Sequence, residues 1–181
     1  RRGIWWPRRP GMAIEIRHAT ADDAAAIAGI YNQGIEDRGA TFETEPRTEA
    51  DIRARLAGAA RHPLLVLAED GVVLGWAGLS GYRDRPCYAG IAEFSIYLDR
   101  TARGRRLGHR LLEALVDAAR QAGYWKLVSR VFPFNDASRA LCRSCGFREV
   151  GTYEKHGRLD GRWLDVVIVE RLIPENLERH R

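Results

Sequence analysis

Residues 93–123, EFSIYLDRTARGRRLGHRLLEALVDAARQAG, change their periodicity once, and that change decides the fold. Phe94, Ile96 and Leu98 alternate with Ser95, Tyr97 and Asp99, the period-2 pattern of a strand. Asp99–Arg106 then carries arginines and a glycine with no apolar run. From Leu107 the pattern is helical. Leu107, Leu111, Leu115, Ala118 and Ala122 share one face, and Arg106, Arg110, Glu113, Asp117 and Arg120 share the other. A strand that feeds a glycine-containing loop and opens a helix presents unpaired N–H groups at the positive end of the helix dipole. That arrangement suits an anion, and a diphosphate best. Arg100, Arg103, Arg105, Arg106, His109 and Arg110 surround it, so the expected anion is multiply charged.

Working outward, Ile14–His18 reads as a strand, and Thr20 caps a helix expected over Ala21–Gln33. Residues 34–47 are an irregular connection around Phe42. Thr48 and Asp51 form a capping box for a second helix with Ala50, Ile52, Leu56 and Ala59 inward. Pro63–Ala68 and Val72–Leu79 make a hairpin about Asp70-Gly71. Residues 80–89 lead irregularly into the Gly90–Leu98 strand. After the helix stop Gly123 come a strand over Trp125–Phe132, a short helix over Asp136–Ser144, and strands over Phe147–Lys155 and Arg162–Leu172 joined by His156–Gly161. The order β-α-α-β-β-β-α-β-α-β-β predicts an α/β (α+β) fold. Its sheet is mixed and mostly antiparallel, with six or seven strands flanked by about four helices.

One domain is expected over residues 12–173, with residues 174–181 as a tail. The formal net charge is +5. Residues 1–11, RRGIWWPRRPG, hold four arginines and no acid; without them 25 basic and 24 acidic residues remain, a net of +1. The near-neutral body argues against nucleic acid as a partner. Residues 1–11 read as an upstream extension, expected to be disordered, and IWW is too short for the apolar region of a twin-arginine signal. No stretch approaches a membrane span. Cys87, Cys142 and Cys145 form no disulfide framework, which fits a reducing cytoplasm. The lone C-x-x-C of Cys142 and Cys145 has no second pair, so no metal is expected.

The loop is not a P-loop or a dinucleotide fingerprint. It resembles the R/Q-x-x-G-x-G/A loop of the GNAT superfamily of acyl-CoA-dependent N-acetyltransferases, with Arg103 and Gly108 in register and Arg106 at the first glycine position. The segment from Asn135 through Ser138 and Leu141 to Gly146-Phe147 resembles that superfamily's N-x-x-[AS]-x-x-L…G-[FY] segment, which grips pantetheine; Asn135 would also serve as a helix cap. The resemblance implies the GNAT fold and acetyl-CoA as co-substrate. It implies a coenzyme site of Ile96, Tyr97, Leu98, Arg103, Gly104, Arg105, Arg106, Leu107, Gly108, His109, Asn135 and Ser138.

Glu93, in Ala92-Glu93-Phe94-Ser95-Ile96-Tyr97-Leu98, stands where the phosphinothricin acetyltransferase subfamily has its base. Transfer to an amine needs the ammonium deprotonated first, which a carboxylate does directly or through one water. Backbone N–H groups around Tyr97 would receive the thioester oxygen. Arg83 and Arg85 match the subfamily's basic pair and would clamp an acidic group; a surface ion-pair cluster is the alternative. The terminal hairpin resembles G-x-W-x-D-V, where His156 would assist proton removal and Trp163 would wall the pocket or simply pack. Tyr31, Asn32 and Phe42, in a family-like pattern, complete it. Cys142 stands where many members have a tyrosine that protonates the departing thiolate.

The resemblance covers residues 14–172 and is nearest the arsinothricin branch of the phosphinothricin acetyltransferases. It implies a homodimer that acetylates the α-amine of a small glutamate-like amino acid carrying a phosphinate, arsinate or sulfoximine. Three alternatives stay open: a GNAT enzyme for another amine such as a peptide N-terminus, a non-catalytic acyl-CoA-binding regulator, and a nucleic-acid module using Arg100–Arg110.

Overall fold

Seven strands form one sheet in the order β1-β2-β3-β4-β5-β7-β6. They are β1 (Ile14–His18), β2 (Leu64–Glu69), β3 (Val72–Gly81), β4 (Ile91–Leu98), β5 (Lys126–Val131), β6 (Arg148–Leu159) and β7 (Arg162–Leu172). The helices are α1 (Ala24–Glu36), α2 (Glu49–Ala57), α3 (Leu107–Gln121) and α4 (Asp136–Ser144). The computed structural model describes residues 13–178, so the expectation for residues 1–11 lies outside the described residues. Every pairing is antiparallel except β4 with β5, where α3 is the crossover that parallel neighbours require. Element order and architecture are those read from the sequence.

Strand alternation sends the two faces of the sheet to different partners. Leu67, Ala77, Phe94, Leu127 and Val169 pack with Leu111, Leu112 and Leu115 of α3. Val66, Trp76 and Tyr97 pack with Ile27 and Ile30 of α1 and Ile52 of α2. Tyr97 sits so close to α1 that a Cβ at Gly34 would lie 2.6 Å from its ring.

Several local expectations change. Ala21–Asp23 is a 3-10 turn and the α-helix starts at Ala24, because Asp23 accepts the Thr20 N–H at 2.8 Å while pairing with Arg17 at 2.7 Å. The buried stripe of α3 runs through Leu111, Leu112, Leu115, Val116 and Ala119. Ala122 is exposed because its C-cap position lies past the sheet, and Ala50 is exposed on α2. The segment His156–Gly161 is not a connection. β6 continues to Leu159 through a bulge in which Glu154, Lys155 and His156 oppose Asp165, whose Oδ1 accepts the Lys155 N–H at 2.7 Å. Beyond residue 173, Asn176 is buried and its Nδ2 donates to the carbonyls of Arg120 and Tyr124, both at 2.8 Å, which ties this segment to the end of α3. Residues 179–181 lie outside the described residues.

Candidate active site

The loop after β4 is shaped by its ion pairs. Arg100 bonds Glu36 and Asp37, Arg103 bonds Asp37 at 2.8 Å, and Arg105 bonds Glu69. Among the described residues Arg106 and Arg110 have no acidic partner. Three of the five arginines of the apparent cluster are therefore paired in place, which weakens the nucleic-acid alternative. The same pairing lowers the Asp37 carboxyl below its usual range, Arg100 first and Arg103 next.

The N–H groups of Gly104, Arg105, Arg106 and Leu107 donate to no described backbone or side-chain acceptor, and α3 has no side-chain cap. Gly104 has φ +75° and Arg106 has φ +61°. This left-handed geometry turns successive amides inward, the concavity that anions occupy. It also explains why the family pattern has glycine where Arg106 stands, since a side chain there is strained. Gly108 lets α3 close on α4, because a Cβ there would lie 3.2 Å from Leu141. His109 faces α4, with Nδ1 3.0 Å from Ser144 Oγ.

Beside this loop the sheet opens. The β4–β5 register ends at Glu93 with Val128. The Asp99 N–H donates to Leu74 O on β3 at 2.8 Å, and alternate residues of an antiparallel strand turn to the same neighbour. Glu93, Ser95 and Tyr97 therefore bond toward β3, while Phe94, Ile96 and Leu98 turn toward β5. The Phe94 carbonyl takes the Ser129 hydroxyl at 2.9 Å; the amides of Ile96 and Leu98, farther along, have no strand partner. Ile96, Tyr97, Arg130, Asn135, Ser138 and Cys142 line the resulting cleft. Asn135 caps α4 by accepting the Ser138 N–H at 3.1 Å and donates to Gly39 O at 3.0 Å. Burial pushes the Cys142 thiol up to about 12.

Glu93 does not line this cleft but adjoins it through Arg130, on the sheet face that carries Tyr97. Its Oε2 pairs with Arg130 at 2.8 Å, and its side chain is about one-quarter exposed. A fixed carboxylate beside a polar opening with unpaired amides can accept a proton from an amine next to an activated acyl group.

The model of the Acetyltransferase (GNAT) family matches residues 27–147, from α1 to the end of α4. The chain belongs to the GNAT acetyltransferase family. A phosphinothricin N-acetyltransferase of Streptomyces coelicolor is 34% identical over 168 residues, covering 90% of this chain and 98% of its own. An L-methionine sulfoximine/L-methionine sulfone acetyltransferase of Pseudomonas paraeruginosa is 33% identical over 162 residues, covering 88% and 94%. Among solved structures, a GNAT superfamily phosphinothricin acetyltransferase from Sinorhizobium meliloti in complex with acetyl-CoA has a TM-score of 0.83. It is 32% identical and covers 89% of both chains.

Within this GNAT fold the remaining expected site residues divide. Tyr31 packs against Tyr97 with ring centroids 4.9 Å apart, and Tyr97 stacks on Trp76 at 5.1 Å. Burial, followed by Tyr31, pushes the Tyr97 phenol well above its usual range, so it stays neutral and can donate a hydrogen bond. Phe42 meets Phe132 edge-on at 4.9 Å and packs with Leu159 and Val166, outside the lining of the cleft. Asn32 spends both polar ends on the Arg47 backbone, at 2.8 and 2.9 Å, and so fixes the 37–47 connection. Arg83 lines a separate hollow with His62 and Tyr124, and Arg85 lies over the Tyr88 ring. His156 projects from the β6 bulge against Tyr153, at 4.9 Å between ring centroids. Trp163 is 59% exposed under Arg158 and lines neither hollow.

His109, Glu113 and Cys145 bring metal-type atoms within 4.8 Å of one another. There Glu113 pairs with Arg171 at 3.0 Å and His109 bonds Ser144, so the group joins α3, α4 and β7 by hydrogen bonds. Sequence reasoning missed Arg130 and Ser129, since a strand's alternation does not reveal which neighbour its side chains reach. No helix among the described residues is long and apolar enough to cross a membrane.

Proposed function

We propose that this GNAT enzyme moves the acetyl group of acetyl-CoA to the α-amine of a small glutamate-like amino acid of the phosphinothricin, arsinothricin or methionine sulfoximine type. The observation that carries the reading is the Glu93–Arg130 pair at the mouth of the β4–β5 split, on the same strand as the unpaired amides of Ile96 and Leu98. The names of the relatives support the acceptor class.

The loop fits a diphosphate. Its unbonded amides at Gly104–Leu107, the dipole of α3 and the unpaired Arg110 would hold one. Acetyl-CoA supplies an acyl group activated as a thioester. Glu93 removes the ammonium proton, with Arg130 fixing the carboxylate's orientation. Ile96 and Leu98 offer the amides available to an acyl oxygen in the cleft. Cys142 packs rather than acts as an acid: a thiol at about 12 does not protonate a thiolate whose own thiol titrates near ~8.5. The reading includes a homodimer, supported by the exposed Val150 and Tyr153 on the edge strand β6, and a cytoplasmic setting, supported by three free cysteines.

Free-thiol release from acetyl-CoA across phosphinothricin, arsinothricin, methionine sulfoximine, glutamate and short peptides tests the acceptor. Release with an acidic amino acid above that with peptides is expected. Silence with every acidic amino acid rejects the assignment.

Arg106→Gly is expected to raise stability by about 1 kcal/mol by relieving the left-handed strain, a rise of roughly 2–4 °C in melting temperature. Acetyl-CoA affinity should hold or tighten, because the amides persist. A tenfold loss measured by calorimetry would show that the guanidinium itself grips phosphate.

A further inference from the structure

Arg55 projects from α2 onto the sheet face that bears Tyr97 and Glu93. Its guanidinium carbon lies 5.0 Å from the centre of the Trp76 ring, and a Cβ at Gly78 would lie 3.0 Å from its Nη2. Gly78 is therefore the floor on which the fork rests, and α2 folds the side chain against the sheet instead of releasing it to water.

This arginine differs from its neighbours in charge balance. Arg47, Arg53, Arg100, Arg103 and Arg105 each hold a carboxylate. Arg55 has none among the described residues. Desolvation dominates its electrostatics, and the phenols of Tyr31 and Tyr97 supply the next largest effects. From α1, from the 37–47 connection and from the sheet, no acid reaches it. Glu43, which acts on Tyr97, is committed to Arg47 at 2.7 Å. Beneath it the Trp76 indole N–H is buried with no acceptor. Arg55 is half-buried, and a guanidinium drawn partly out of water without an anion is uncommon in a finished fold.

The strand register says where such an anion would sit. Gly78 pairs with Ser95, with Trp76–Tyr97 on one side and Ser80–Glu93 on the other. Residues two apart on a strand share a face and stand about 7 Å apart. Arg55 thus lies over Trp76 and Gly78, one ladder step from the position of Glu93 on the same sheet face, whose carboxylate leans toward Arg130 on β5. In an α-amino acid, amine and carboxylate branch from one carbon, so an amine at Glu93 presents its carboxylate to a cation one ladder step away.

We propose that Arg55 is the acceptor's carboxylate anchor, binding it through the planar fork while Glu93 attends the amine. This rests on the acetyl-transfer reading above and narrows it to acceptors with a free carboxylate next to the amine, which excludes peptide N-termini. Arg55 belongs to no motif quoted from the sequence, and it lies on a helix whose pattern marks it only as polar.

The test compares two acceptors, glutamate or phosphinothricin and the same compound with its α-carboxylate converted to carboxamide, in the wild type and in Arg55→Met. The wild type is expected to prefer the carboxylate by at least about 30-fold in kcat/KM, as loss of one partner of a desolvated charge pair implies. Arg55→Met, close in volume, should erase most of that preference through KM for the acceptor, with acetyl-CoA affinity unchanged by calorimetry. An unchanged preference in Arg55→Met overturns the anchor. Equal use of both acceptors by the wild type overturns it too, and needs no folded variant. If the wild type releases no thiol with any amine, the acetyl-transfer reading fails instead, so the two failures are distinguishable.

Discussion

Glu93→Gln is expected to lower kcat/KM for the acceptor by about 10²–10⁴-fold while acetyl-CoA binds as before. The substitution keeps the shape of the side chain and removes its ability to take a proton. Its partner Arg130 is left without a carboxylate, but both side chains are part-exposed, at 26% and 42%, so the pair contributes little to stability. A fall in rate with unchanged melting temperature and unchanged coenzyme affinity separates proton transfer from folding and from binding. It also decides against the regulator alternative, in which the carboxylate has no chemical role. Should the variant retain more than about a tenth of wild-type kcat/KM, another group removes the proton.

The second large effect concerns the helix that carries the loop. Leu111→Ala is expected to cost about 3–5 kcal/mol. Leu111 is fully buried where α3 crosses β3, so a Cβ at Gly75 would already lie 3.4 Å from its Cδ2. Removing three carbons there leaves a cavity that rigid strands on one side and Leu112 and Leu115 on the other cannot fill. Thermal or denaturant unfolding measures the loss. Because Leu107 and Gly108 open the same helix, acetyl-CoA affinity should weaken together with stability. A loss below about 1 kcal/mol would mean that α3 repacks freely, and that its N-terminus is not held in place by this contact.

Local chemistry made much of the fold legible. Asp136–Ser144 needed only Asn135 as cap and Gly146 as stop, and both turned out as read. The hairpin turns at Asp70-Gly71 and Asp160-Gly161 both have positive φ, as their residue types demand. Features set by distant partners were not legible. Asp23 tightens the start of α1 because Arg17, on β1, reaches it. β6 passes through His156 because Asp165 of β7 takes the Lys155 amide.

The site divides along the same line. The loop and the Asn135 segment carry their meaning in spacing, so the sequence points to them directly. Arg106 stood out in the sequence as a departure, and its φ of +61° supplies the reason. Arg130 and Arg55 have no such signal: one sits on a strand and one on a helix, and only the folded sheet brings them to the face of Glu93. The polar ends of Asn32 looked available in the sequence and are consumed by the Arg47 backbone.

The most direct measurement is a crystal structure of the protein with acetyl-CoA bound. The account predicts diphosphate oxygens on the amides between Gly104 and Gly108, the acyl oxygen within hydrogen-bond reach of the Ile96 or Leu98 N–H, and Glu93 one water or less from the amine's approach. A coenzyme bound elsewhere, or one whose thioester points away from Glu93, would contradict it.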